Sequence, residues 1–224
     1  IDYFKSIYNS LDILVDYLDV PKASRVLDLA CGKGRHSVRL NNLGYEVVGL
    51  DLSEESIAEA KLNESEGLEF FEHDMRELYW NEHFHLVVNL FTSFGYFHNA
   101  EDDQRTISSV SDSLKKNGIF VLDFMNAVKV IENLVTYEEK TIDTVKFEIT
   151  RNVEDGVIIK RIHVIDGEIE LDFEEQVDAL QLNDFLLYLN EATLTVDSIF
   201  GDYQLNPFDE KTSNRLIIVA KKQA

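Results

Sequence analysis

Arg25–Ser37, RVLDLACGKGRHS, limits what this chain can fold into more than any other stretch. A short apolar run holding one acid, Asp28, breaks into Cys31-Gly32-Lys33-Gly34 immediately before helix-compatible sequence. Strand, glycine turn and helix in that order form the unit that binds nucleotide-like ligands. The glycines let the backbone pass close beneath a ligand, and the N–H groups that open the helix attract its negative end. A tight strand-to-helix turn also uses glycine for its own sake, so the stretch by itself leaves binding and plain packing both open.

The sequence beyond it repeats the rhythm. Glu46 to Asp51, EVVGLD, reads as a second buried strand ending in an acid, with Ser53 placed to cap the next helix. Leu68 to Phe71, Phe84 to Phe91 and Ile119 to Phe124 supply three more strands, and a polar helix over residues 101–116 leads through Asn117-Gly118 into the last of them. Short apolar strands alternating with helices predict a parallel sheet covered on both faces. Ahead of this block, Leu11, Leu14, Val15 and Leu18 recur at helical spacing and Pro21 follows, which predicts an amphipathic helix over residues 5–19.

After the fifth strand the period changes to two. Val145, Phe147 and Ile149 alternate with polar residues, as do Ile169, Leu171 and Phe173, while Asp155-Gly156 and Asp166-Gly167 are favoured two-residue hairpin turns. Residues 141–179 therefore read as a three-stranded antiparallel meander, within an insertion over 137–180 of a single domain spanning 1–224. A helix from Asn183 to Ala192, a strand from Thr193 to Phe200 and a closing strand from Leu216 to Ala220 complete the pattern.

Composition removes several functions. The formal charge is -21, and neither half hides a basic face: residues 1–112 hold 9 Lys+Arg against 21 Asp+Glu, residues 113–224 hold 12 against 21. Counterion release from phosphates has little to draw on, so no nucleic-acid partner is expected. No apolar run approaches the roughly 20 residues of a membrane span and no charged-then-apolar leader opens the sequence, so a soluble, cytoplasmic protein is expected, with no membrane partner. The lone Cys31 suits a reducing compartment. His83 and His85 lie two apart at a strand start, but no cysteine or carboxylate set completes a metal site, and no metal is expected. Lys33, Arg35 and His36 border the glycine loop and read as solvated.

Taken in order, DLACGKG, GLDLS, HDM, NLFTSFGYF and NGIFVLDF resemble the motif series of class I S-adenosylmethionine-dependent methyltransferases, over residues 24–125. The last helix and two strands suit the same family. The insertion, with HDMREL and TSFGYF, resembles more weakly the bacterial small-molecule enzymes of the nucleotide-sugar N-methyltransferase type. The resemblance implies an α/β, Rossmann-like fold with a seven-stranded, mostly parallel sheet and a small antiparallel β insertion after the fifth strand. It implies S-adenosylmethionine as cofactor and in-line methyl transfer to the N or O of a small-molecule acceptor.

It also implies site residues. Asp28 would face the ammonium of the cofactor's methionine part, directly or through water, with Gly32 and Gly34 giving backbone contacts and Ala30 standing where the family commonly has glycine. Asp51, 17 positions beyond Gly34, can accept both ribose hydroxyls, with Leu52 beside it; as an acid before a helix it also suits that helix's N-terminus. Asp74 and Met75 match the adenine contacts, an acid for the exocyclic amine and a backbone N–H for the ring. Asn89 joins the cofactor set at the end of the fourth strand, where many amino-methylating relatives show an acid. Tyr96 aligns with a histidine of the sugar N-methyltransferases and reads as a catalytic and substrate-binding group or as a packed aromatic. Asn126, Tyr203 and Asn206 are placed in the acceptor pocket because that fold brings the loop 201–214 to the same strand ends. Two alternatives stay open: an S-adenosylmethionine-binding regulatory or assembly protein without turnover, and an NAD-dependent oxidoreductase, for whose third glycine-like position Ser37 is a loose substitute. A homodimer is left open as well.

Overall fold

The computed structural model describes residues 11–223. The predicted N-terminal helix is helical over 11–18 (α1), and its portion over 5–10 lies outside the described residues. Seven strands form the main sheet: Arg25–Leu29 (β1), Glu46–Asp51 (β2), Leu68–Glu72 (β3), Phe84–Asn89 (β4), Leu114–Met125 (β5), and the later pair Leu194–Phe200 (β10) and Arg215–Lys222 (β11). Their order is β10-β11-β5-β4-β1-β2-β3. The first five run parallel, and β11 returns antiparallel between β5 and β10.

Strand alternation splits the sheet into two cores. Leu27, Leu29, Val87, Leu122 and Phe124 face one side, where the helices Ala100–Ser113 (α4) and Leu182–Glu191 (α6) add Ile107, Val110, Phe185 and Leu189. Val26, Leu86, Val88, Val121 and Val219 face the other, against α1, Arg35–Asn42 (α2) and Glu54–Ala60 (α3). Both faces are covered, which is why these strands read as nearly continuous apolar runs. β1 lies between β2 and β4 and is where the winding reverses, so a crevice opens at its carboxyl end.

Between β5 and α6 sit a short helix, Ala127–Glu132 (α5), and a separate antiparallel sheet: Tyr137–Ile142 (β6), Val145–Glu154 (β7), Val157–Asp166 (β8) and Ile169–Asp178 (β9). Four strands replace the expected three. β6, YEEKTI, has five of six residues exposed and lacks the apolar alternation that marks its neighbours, so only its pairing with β7 identifies it. Helix α5 was not anticipated either. The polar helix over 101–116 stops at Ser113, because Leu114 already pairs with Phe84.

One hairpin matches its expected chemistry and one does not. Asp155 and Gly156 are the two loop residues between β7 and β8, with φ of 47° and 82°, as a type I′ turn requires. Asp166 instead pairs with Ile169, so the loop is Gly167-Glu168, with only Gly167 at positive φ, 63°. That places glycine at the first central position, the type II′ arrangement.

Candidate cofactor and acceptor site

Gly32 and Gly34 both take positive φ, 55° and 79°, but for different reasons. A side-chain carbon added at Gly32 would have no neighbour within 4 Å, whereas at Gly34 it would stand 2.5 Å from the Phe70 ring. Gly32 thus leaves its outer face open to a ligand, and Gly34 lets α2 start tight against β3. Ala30 bears a positive φ of 59° without being glycine, a strain of roughly 1–2 kcal/mol.

Two adjoining cavities flank the loop and share Ala30, Gly32 and Ser93. The first, about 440 Å³, is lined also by Asp51, Leu52, His73, Asp74, Met75, Tyr96 and Phe97. The second, about 390 Å³, reaches Asp28, Cys31, His36, Leu90 and Phe91. Six of the expected residues therefore meet in the first cavity together with Tyr96, and Asp28 lies in the second.

Asp28 is 1 % exposed and accepts a 2.6 Å bond from Ser37 Oγ. Burial pushes its carboxyl up to about 6, against the opposing pull of the Ser37 bonds, with the Asp51 charge adding a smaller push. Asp51 accepts from Gly32 N at 2.7 Å through one oxygen and from Ser53 N at 2.9 Å through the other, so it fixes the open glycine and also serves the start of α3. Asp74 is gripped by Arg76, with contacts down to 2.6 Å, and those hydrogen bonds hold its carboxyl below the usual range. Arg76 also reaches Asp102 and lies over the Phe97 ring. Asn89 is buried. It donates to Leu29 O at 2.9 Å, stitching β4 to β1 at the reversal, while its Oδ1 has no hydrogen-bond partner among the described residues.

The residues expected in the acceptor pocket from 126 and 201–214 are not brought to these cavities. Asn126 is 3 % exposed and donates to Glu210 O and Ser213 O at 2.8 and 2.9 Å, which clamps the loop rather than offering an amide to a ligand. Asn206 is exposed and closes a turn on Asp202 at 2.9 Å. Tyr203 stacks on Phe91 and donates to Asp123 Oδ2 at 2.9 Å. The long loop does stand at the expected sheet edge, but its polar groups are satisfied by its own turns and by Asp123. His36, expected to be solvated, is 7 % exposed and stacked on Phe91 at 4.7 Å. Burial, with the Arg35 charge adding to it, pushes its imidazole down to about 4, so it is neutral at pH 7.

Asp123 is the residue that sequence reasoning missed. It is 1 % exposed and takes bonds from Phe91 N, Tyr203 OH and Arg215 Nε at 2.8–2.9 Å. Its backbone carbonyl accepts from Thr92 N, and Arg215 also donates to Thr92 Oγ1. Phe91 and Thr92 have φ of 59° and 63°, two successive left-handed non-glycine residues that need outside support. The Asp123 set supplies it and aims residues 93–97 along the first cavity. An acid inside the apolar run IFVLDF, residues 119–124, was the available signal.

Residues 26–118 match the family model of the methyltransferase domain. That match, with methyltransferases among the similar proteins and solved structures, supports S-adenosylmethionine-dependent methyl transfer. YqeM of Bacillus subtilis, which carries a methyltransferase name, is 36 % identical over 140 residues, 58 % of this chain and 57 % of its own length. This chain thus spans little more than half of that relative. The glycine/sarcosine N-methyltransferase of Aphanothece halophytica is 28 % identical over 208 residues, 89 % of this chain and 77 % of its own. An S-adenosylmethionine-dependent methyltransferase of Clostridium acetobutylicum superposes with a TM-score of 0.84 at 23 % identity, covering 96 % of this chain and 92 % of that one.

The cleft fits S-adenosylmethionine on its own chemistry. A cation-bearing methionine part suits the second cavity, which Asp28 lines as a buried acid with no salt bridge among the described residues. The adenosine part suits the first cavity, where an apolar wall of Leu52, Met75 and Phe97 meets Asp51 and Asp74. Among the described residues no group of three His, Cys, Asp or Glu gathers to hold a metal, and no helix is long and apolar enough to cross a membrane.

Proposed function

We propose that the protein methylates a nitrogen of a small polar amine. S-adenosylmethionine supplies an activated methyl on a sulfonium. The chain's part is to hold donor and acceptor in near-attack geometry, which is the larger lever in such a displacement. Asp28, Gly32 and Asp51 hold the cofactor, Asp74 and Met75 border its base, and residues 93–97 face the acceptor.

The observation that carries the nitrogen reading is how the acids of the first cavity are held: Asp51 accepts from two backbone N–H groups and Asp74 is bound by Arg76, so neither stands ready as a base for a hydroxyl. Tyr96 is half-exposed, and burial beside Glu175 raises its phenol above the ordinary value, so it stays protonated near neutral pH. His73 Nε2 donates to Glu77 O at 2.9 Å, which fixes the ring tautomer and leaves Nδ1 as an acceptor. Asp74 is held by Arg76. A neutral amine needs no base before attack, whereas a hydroxyl gains from one. That the similar Aphanothece enzyme is an N-methyltransferase supports the same reading. Tyr96 then orients the acceptor by donating a hydrogen bond. The partners are a small acceptor and a second copy of the chain, with no nucleic acid, and the buried Cys31 suits a reducing cytoplasmic setting.

The test is incubation of the protein with a metabolite extract and isotope-labelled donor, read by mass. A labelled amine product is expected. Donor binding with no labelled product in any pool would return the regulatory or assembly alternative, and a labelled ether or ester would remove the nitrogen reading.

A further inference from the structure

The loop over residues 93–99, which carries the acceptor side of the first cavity, is held at three places. Asp123 supports its entry at Phe91 and Thr92, while Asp178 N donates to Gly95 O and the Asp178 carboxylate meets His98. Neither acid lines the two cavities. The third hold is Arg76, which also grips a residue bordering the donor. Its Nε and Nη2 bind the Asp74 carboxylate at 2.6–3.1 Å, and its Nη1 binds Asp102 Oδ2 at 2.9 Å. The guanidinium carbon stands 4.8 Å from the centre of the Phe97 ring. Asp102 is tied in turn to Asn99, the cap of α4: its N–H donates to Asn99 Oδ1 at 2.8 Å, and Asn99 Nδ2 donates to its Oδ2 at 3.1 Å. Nearby, Ser109 Oγ of α4 donates to Glu77 O at 2.9 Å, so the segment 73–77 and α4 meet at two points.

We propose that Arg76 is a positioning residue that couples the two halves of the site, so that a donor in the first cavity orders the acceptor loop through it. The proposal rests on the reading of that cavity as the place of the donor's adenosine part. Phe97 lines the cavity and Arg76 does not, so the guanidinium backs the ring from outside. A donor that packs its base against Phe97 and gives its exocyclic amine to Asp74 bears on the same guanidinium by two routes. The Arg76 side chain is 32 % exposed, and one such pair alone would hold the loop weakly. A planar fork bound to two carboxylates fixes orientation as well as distance, and it cannot slide along the ring without giving one of them up. Arg76 itself touches neither the donor nor the acceptor; it acts through Asp74 and Phe97. The gain is near-attack geometry: the wall that faces the acceptor sets when the methyl is in place to be taken.

Hydrogen exchange read by mass, on the whole chain with and without S-adenosylmethionine, tests this before any acceptor is known, and calorimetry establishes saturation. In the wild type the donor should slow exchange over residues 73–77 and over 95–99, each about tenfold or more. Arg76→Lys keeps a charge for Asp74 but has no planar fork to reach Asp102 and cover Phe97. There the donor should still protect 73–77, while its effect over 95–99 falls to about twofold or less. Asp102→Asn releases the other end of the guanidinium and keeps the backbone N–H that Asn99 accepts. It should shrink the 95–99 effect in the same direction, and it carries the test if Arg76→Lys does not fold. An unchanged donor effect over 95–99 in the variants overturns the role of Arg76. So does a loss of protection there that is equal with and without donor, the mark of an arginine that serves stability alone. Donor binding to the wild type with no slowing over 95–99 overturns the coupling and leaves the cofactor site standing. No donor binding at all removes the cofactor reading and the coupling with it.

Discussion

The main sheet and the inserted sheet are built on opposite terms. In β1 and β4 all but one residue of each strand are buried, and helices cover both faces. In β9 the first seven residues are exposed, and only the end that reaches Gly95 and the core is held. The first arrangement fixes atoms to within the tolerance that a cofactor site needs. The second leaves a surface whose composition can change without disturbing that site. The cavities that suit the cofactor therefore stand at the edge of the buried sheet, while most of the inserted sheet is open surface.

The largest expected break in this comparison is Asp123→Ala. It leaves Arg215 facing an emptied site and removes the support of Phe91 and Thr92, and losing one partner of a buried pair costs roughly 3–5 kcal/mol. Chemical denaturation should show that loss, together with weaker donor binding. A cost near zero would mean that the 91–92 turn supports itself.

Paired glycine substitutions sharpen the contrast. Gly34→Val combines a left-handed backbone with a collision on Phe70, about 3 kcal/mol in all, and should also impair donor binding. Gly156→Val has the same backbone conflict but open space around it, about 1–2 kcal/mol, and should leave donor affinity unchanged. Equal effects in thermal unfolding, or loss of donor affinity in a folded Gly156→Val protein, would show that the two sheets are not separable.

Asp28 gives the buried sheet a pH signature. Its folded value of about 6 lies above its ordinary 3.8, so the folded protein holds the proton more tightly than the unfolded chain. The stability this contributes is fully present below pH 3.8 and is lost as pH rises through 6, a difference on the order of 3 kcal/mol. Asp28→Asn should lack that slope, be more stable than the wild type at pH 8 without donor, and bind the donor more weakly. Parallel stability-pH curves for the two proteins would contradict the burial argument. Asp51→Ala should act on binding more than on stability, lowering donor affinity about a hundredfold by calorimetry through loss of charge-assisted bonds and of the Gly32 restraint.

The same contrast explains what the sequence revealed. Residues 25–125 were legible because double-sided burial writes strands as apolar runs, broken by the glycine turn and by the acids Asp28, near the end of β1, and Asp51, at the end of β2. β6 was not, since YEEKTI shows no face to a reader who lacks its partner. Asn126 and Asn206 were misplaced for a different reason: chain order gave their sheet edge correctly, but an amide satisfies whichever carbonyl or carboxylate is nearest, here Glu210 and Ser213 or Asp202. His36 looked solvated by residue type, yet the first turn of α2 rolls it onto Phe91. Asp123 needed the third dimension, because its partners lie at 91, 203 and 215.

The smallest expected effect is also the one that divides the two sheets' labour at the cleft. Tyr96 sits where they meet: Gly95 O accepts from Asp178 N at the end of β9, and Asp178 also contacts His98 at 2.7 Å. Its loop is therefore fixed by the inserted sheet while its ring lines the cavity of the buried one. If Tyr96 only donates a hydrogen bond to orient an acceptor, Tyr96→Phe should raise the acceptor KM about three- to tenfold, a change near 1 kcal/mol. Donor affinity should stay within about threefold, roughly 0.6 kcal/mol. A base would behave otherwise, because its loss typically removes about a hundredfold or more from kcat and flattens the pH-rate profile. Steady-state kinetics at several pH values separate the two, and a kcat collapse with KM unchanged would restore Tyr96 as a proton acceptor and reopen oxygen as the methylated atom.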